Sequence, residues 1–379
     1  MTNSKFLDPS DASPLTSESV EKQYYRPPSF TDLLPWMEYL PESKAFLLED
    51  GVSLGALFEV QPVGCEARTP AFMTRLRDAI RTAINEAIPE RDDAPWVLQI
   101  YVQDEPKLTQ FDTLLASYPS SKVRASEYSQ HYQSVMTKHL QAISRPGGLF
   151  DDTTVTGSRW QGQQRRIRVV LYRRLKSNGN TPAPIEVEEA LNDVATKWIT
   201  SLAAAGITAQ RADGQAFYQW LLSWFNPNPP LAEGNPEALL QLAPYPGDDK
   251  LPFGYDFAEQ LALSMPRSDQ ATASWVFDNM PHSVVSIQSL RRAPDIGHFT
   301  AERQAGDQVF SLFDRLPEHT IMAITLTLKP QDTIRNHIAQ IKRASVGDSA
   351  EASITREDAE QVEREMAQGN KLYPVSMAF

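Results

Sequence analysis

"KAFLLEDGVSLGALFEVQPVG", residues 44–64, decides the fold. It reads as two apolar strands joined by a tight turn at Asp50 and Gly51, because an Asp-Gly pair supplies the positive φ that hairpin turns require. The ordered part of the chain therefore opens with paired strands, and the segments after it can be read against a sheet.

Beyond Pro70 the pattern changes to a helix carrying Phe72, Leu76, Ile80, Ala83, Ala87 and Ile88 along one face. "WVLQIYVQ", residues 96–103, returns to strand. A helix over 127–143 follows and breaks at Arg145-Pro146-Gly147-Gly148. "GGLFDDTTVTGS" reads as a loop or hinge, and "RRIRVVLYRRL", residues 165–175, as a strand with basic ends. A long helix comes next, with Val187, Leu191, Val194, Trp198 and Leu202 on its buried stripe and Gly206 at its end. A short strand and the aromatic helix "FYQWLLSWF" complete this half.

Residues 226–254 hold Pro227, Pro229, Pro230, Pro236, Pro244, Pro246 and Pro252, the composition of a linker or of an arm lying extended on a neighbour. Past it the expectations are strands around 273–278 and 283–290, a helix near 302–313 and a strong strand in "TIMAITLTLKP". Two further helices are expected, one capped by Asp332 and one starting at Thr355, before a final strand over 371–379. The fold class is thus α+β, mixed sheets flanked by helices. Residues 44–173 and 273–379 share an element order that fits either two split βαβ (ferredoxin-like) units or coincidence. The organisation is a flexible tail over 1–28, an α/β module over 29–225, the proline-rich segment 226–254, and a second α/β module over 255–379 that ends in a strand, as a truncated domain would.

The 379 residues carry 41% apolar side chains and a formal charge of -12, enough for packed cores and against broad non-specific nucleic-acid binding. Cys65 is the single cysteine, which suggests a reducing compartment. The polar N-terminus lacks the apolar core of a signal peptide, and no stretch has the run of about 20 apolar residues that crosses a bilayer. A cytoplasmic protein is expected.

Catalytic motifs are sparse. No glycine precedes a lysine, so the phosphate loop G-x-x-x-x-G-K-[ST] is missing, and no cysteine pair offers a zinc site. His298 and Glu302 have the i, i+4 spacing of two ligands on one helix face, against the alternative of a turn or capping histidine. His131 and His139 read as ordinary helix residues. The basic strand is the sharpest local feature. Alternation places Arg166, Arg168, Val170, Tyr172 and Arg174 on one face. That face could meet an acidic partner or anionic headgroups, or its arginines could pair with local carboxylates.

"SFTDLLPWMEYLPESKAFLLEDGVSLGALFEVQPVG" is similar to the opening of TraC-type conjugative transfer ATPases of type IV secretion systems. "APDIGHFTAE" and "SLFDRLPEHTIMAITLTL" resemble the stretch that closes the N-terminal portion of that family. The resemblance spans most of residues 29–379. It implies an N-terminal α/β region that docks a motor on the inner-membrane secretion complex, placing the chain peripherally at that membrane. The implied partners are inner-membrane proteins of the apparatus, other secretion ATPases and further copies in a hexamer, without direct nucleic-acid contact. ATP and Mg are implied only for a Walker-bearing motor that these residues do not include, so no cofactor is expected here. Docking through Arg166, Arg168, Arg174 and the arm around Pro227, Pro229 and Pro230 is the first expectation. A metal-assisted hydrolase around His298, or a structural scaffold, is the alternative.

Overall fold

A computed structural model describes residues 30–65, 68–106, 108–145, 150–152, 158–175, 182–248, 256–288, 303–305, 308–310, 313–345 and 349–379. The expected hairpin forms. β1 (Trp36–Leu40) pairs with β2 (Ala45–Leu48), and β2 pairs with β3 (Leu54–Gln61), both antiparallel. The β2–β3 turn is held by Asp50, whose Oδ1 accepts from the amides of Val52 and Ser53 at 3.0 and 2.7 Å, with Gly51 at φ 69°.

α1 (Pro70–Ala87) starts where Thr69 Oγ1 accepts from the Phe72 amide and Pro70 presets the first turn. β4 (Trp96–Glu105) follows, then α2 (Thr109–Ser117), α3 (Ser121–Arg124) and α4 (Glu127–Ser144). The stretch expected as a loop contains a small hairpin, β5 (Phe150–Asp152) with β6 (Ser158–Trp160). β7 (Gln164–Arg173) inserts between β3 and β4, antiparallel to both. α5 (Pro184–Ala204) ends at Gly206, φ 79°, and β8 (Thr208–Arg211) pairs with β3.

With α2–α4 and the β5–β6 pair inserted between β4 and β7 set aside, the chain from β3 to β8 runs strand, helix, strand, strand, helix, strand, and the strands lie side by side as β8-β3-β7-β4. That is one split βαβ, ferredoxin-like unit, with α1 packed beside α5. Its boundaries differ from the expected repeat: β2 lies outside it, whereas α5 and β8 complete it.

Alternation along the strands sorts the core into two layers. Ala56, Phe58, Leu98, Val169 and Leu171 face Ala83 and Ala87 of α1, Ile88 just beyond it, and Leu191, Val194, Trp198 and Leu202 of α5. Leu57 and Val170 point the other way, toward α6 (Gly214–Phe225), which Asp213 caps through the Ala216 amide. There Phe217 stands among Trp36, Phe46 and Phe257, with ring centroids 4.7–5.6 Å apart. Residues 226–248 carry a 3-10 turn (Pro230–Ala232) and α7 (Pro236–Leu242), whose Ala232 and Leu239 are buried in this same layer.

The second half does not repeat the unit. β9 (Arg267–Asp269), β10 (Ser274–Phe277) and β11 (Met280–His282) form a small sheet that lays Phe277 on α6. Where a helix was expected over 302–313, β12 (Arg303–Ala305) pairs with β13 (Gln308–Phe310). β14 (Ile321–Leu328) extends the main sheet beside β4, and β15 (Val375–Ala378) lies beyond it. Residues 285–287 bond to the outer side of β15, with Val285 and Phe379 exchanging amide–carbonyl bonds at 2.9 Å.

Between β14 and β15 stand α8 (Gln331–Ala344) and α9 (Ala350–Ala367). Pro330, not Asp332, holds the cap position of α8; Asp332 is exposed in the first turn beside Arg335. α9 begins before Thr355, because Ser349 Oγ accepts from the Ala352 amide at 3.2 Å.

Candidate functional site

The expected arginine face exists as a face, but it is not a free one. β7 pairs with β4 so that Arg165 lies opposite Asp104 and Arg168 opposite Tyr101. Arg165 grips Asp104 through two bonds of 2.9 Å and lies over the Phe313 ring at 4.3 Å. Arg168 is buried: its Nη1 meets Glu105 Oε1 at 2.8 Å, and its guanidinium stacks on Trp220 of α6 at 4.6 Å. Arg166 lies 3.7 Å from the same Glu105 carboxylate. Arg174, at the far end, is exposed and paired with Glu49. Tyr101, beside Trp220 at 5.6 Å, has its phenol pushed up to about 12 by burial and then by Tyr172. Chemically this end of the sheet is a neutralised ion-pair ladder under an aromatic lid.

The three prolines diverge as well. Pro229 is buried, Pro227 half-buried and Pro230 exposed at the start of the 3-10 turn. Asn226 ties the segment down: its amide donates to the Leu222 and Leu261 carbonyls at 2.8 Å, and its Oδ1 accepts from the Leu263 amide.

His298 and Glu302 lie outside the described residues. Among the described residues no cluster of three His, Cys, Asp or Glu could hold a metal ion, and no helix is long and apolar enough to cross a membrane. His131 and His139 are exposed on α4. A cleft of about 490 Å³ opens between α1 and α5, with Arg91, Arg173, Lys197, Glu86, Asp193 and the Lys371–Glu90 ion pair (2.8 Å) mixed around it. Opposite charges alternate there, and it selects no ligand class by sign.

The surface that sequence reading passed over is the hairpin of α2, α3 and α4. Seven large apolar side chains stand exposed on it: Phe111, Leu114, Tyr118, Val123, Tyr128, Tyr132 and Val135. Tyr118 and Tyr128, 88% and 79% exposed, flank the turn between the helices. Asp112 joins α2 to α4 by accepting from Gln133 and Thr137, each at 2.7 Å. The signal in the sequence was the spacing Tyr128, Tyr132, Val135, one helix face, which reads like an ordinary buried stripe until the surrounding sheet is known. On the other side of α4, with Ala116 and Pro119 of the α2 end, runs a groove of about 570 Å³. Its rim includes Arg124, Lys138, Gln130, Ser134, Thr137 and Gln141, and among the described residues no carboxylate lines it.

No curated protein matches this chain. The family model for the TraC protein does match, and it runs from residue 30 to residue 379, through the main sheet, the hairpin and the α8–α9 extension alike. The chain therefore belongs to the TraC protein family and to conjugative transfer.

Proposed function

We propose that residues 30–379 are a docking and assembly region of the conjugative transfer machinery, working through protein–protein contacts with the inner-membrane secretion complex. In this reading the chain is peripheral at the inner membrane, meets inner-membrane secretion proteins and other secretion ATPases, and touches no nucleic acid. No nucleotide chemistry is assigned to these residues.

The observation that supports it is where exposed apolar surface is concentrated. Large apolar side chains left in water on one projecting element favour a partner surface, since their burial contributes on the order of 25 cal/mol per Å². Phe111, Leu114, Tyr118, Tyr128, Tyr132 and Val135 meet that condition. Arg168 does not, being already satisfied by Glu105. Of the arginine and proline positions, Arg174 and Pro230 keep the exposure that a contact requires.

The test is affinity capture of solubilised inner-membrane secretion components on the immobilised chain. Tyr128→Ser with Tyr132→Ser is expected to release them while thermal unfolding is unchanged; Arg174→Glu is expected to weaken capture less. Equal capture by the double variant and the parent chain rejects the hairpin as the docking element.

A further inference from the structure

Charges alternate around the mouth of the cleft between α1 and α5, but hydrogen-bond donors stand on its wall. Trp96 is the first residue of β4 and Arg173 the last of β7, and the ladder sets them directly opposite one another. Side chains opposite each other on neighbouring strands leave the sheet on the same side. Here that side is the one α1 and α5 cover, where Leu98 and Leu171, the next residues along the same face, are packed. Trp96 and Arg173 both line the cleft.

The chain does not satisfy this pair. Trp96 is 3% exposed, and its indole N–H has no hydrogen-bond partner. Arg173 donates from Nε to the Ala94 carbonyl at 2.8 Å, and among the described residues its guanidinium forms no ion pair. Burial lowers the Arg173 pKa, and the nearby Arg91 guanidinium lowers it further, against an opposing pull from Asp93. A half-buried cation beside a second cation favours an anion from outside.

The carboxylates of the cleft do not supply that anion. Glu90 is held by Lys371 and by the Tyr373 hydroxyl, each at 2.8 Å. Glu86 and Asp193 are exposed, where water screens them. The rest of the lining includes Ala87, Ile88 and Val194, all buried and apolar.

We infer that this cleft binds a small monocarboxylate with a flat apolar body. Its carboxylate pairs with the Arg173 guanidinium and accepts from the Trp96 indole, and its body covers Ile88 and Val194. Because the indole N–H is buried, that bond requires the indole to turn toward the cleft. The volume, about 490 Å³, is of the size that small-molecule sites take. A dianion is disfavoured, since its second charge stands against Glu86 and Asp193.

The experiment follows the indole signals of the chain carrying isotope-labelled tryptophan, with Trp96→Phe assigning the Trp96 signal. Phenylacetate at millimolar concentration is expected to move that signal downfield and to raise the temperature of thermal unfolding. Phenylacetamide, its neutral counterpart, and inorganic phosphate are expected to do neither. Arg173→Met is expected to weaken the response several-fold. Ala190→Glu keeps Arg173 and its bond to Ala94, adds a carboxylate to the lining, and is expected to weaken it similarly. An unmoved Trp96 signal overturns the inference, as does an equal response to phenylacetamide or to phosphate. So does an undiminished response in Ala190→Glu, whether or not Arg173→Met folds. Capture through Tyr128 and Tyr132 is read separately, on the hairpin, and neither result decides the other.

Discussion

Arg168 and Glu105 meet at 2.8 Å across β7 and β4, with side chains only 8% and 14% exposed. Glu59 adds a second carboxylate to Arg168 at 4.0 Å, and Trp220 closes the site from α6. Two charges held this far from water are compensated by each other, so removing one strands the other. Glu105→Leu is expected to destabilise the fold by about 3 kcal/mol, read from the urea midpoint. Arg168→Met combined with Glu105→Leu is expected to cost less than Glu105→Leu alone. Single and double variants with the same midpoint as the parent would show that the pair is solvated.

Stability is expected to fall in alkali through Tyr101. Burial first, then Tyr172, raises its phenol from the ordinary tyrosine value of about 10 to about 12. The folded state therefore holds its proton after the unfolded chain has released it. Its contribution is fully present below the unfolded value and is lost as pH climbs from about 10 to about 12. Urea midpoints at pH 9 and pH 11 measure the slope, and Tyr101→Phe is expected to reduce it, the phenols of Tyr39, Tyr172, Tyr218, Tyr245 and Tyr373, also raised by burial, carrying the rest. A parent chain with no loss over that interval would contradict the burial.

Leu239 and Pro230 separate packing from surface within the proline-rich segment. Leu239 is fully buried against the α6 layer, and Leu239→Ala is expected to cost about 3 kcal/mol. Pro230 is exposed, and Pro230→Ala is expected to stay within about 0.5 kcal/mol. Deleting residues 226–248 would unfold the layer rather than trim an arm, so contacts made by this segment need point variants. A deletion chain with unaltered thermal unfolding would reverse that conclusion.

Phe217 joins Phe46 of the first half of the chain to Phe257 of the second within one layer. It stacks on Phe257 with an interplanar angle of 16° and meets Phe46 edge-on at 4.7 Å. Phe217→Ala is expected to lose about 4 kcal/mol and most of the near-ultraviolet circular dichroism. Phe257→Leu added to it should cost less than on the parent chain, because the two share one contact. Strict additivity would mean that residues 256–261 pack independently of α6.

Local elements are legible in the residues wherever period and punctuation agree. Asp50-Gly51 marked the first hairpin, Leu191, Val194, Trp198 and Leu202 marked the stripe of α5, and alternation along β7 assigned Arg168 and Val170 to one face. Those signals act over a few residues, within reach of one turn of helix or one pleat. What covers each face is set by long-range packing. Trp220 lies 52 residues from Arg168 in the chain yet roofs it, and Leu328 lies 232 residues from Trp96 yet pairs with it. The same limit left open whether the arginine face meets a partner or local carboxylates, which the ion-pair ladder decides for the carboxylates, and it left the Tyr128, Tyr132, Val135 stripe in water. Periodicity states which side chains point together; which of those groups finds a neighbour depends on long-range closure of the sheet, which no local pattern encodes.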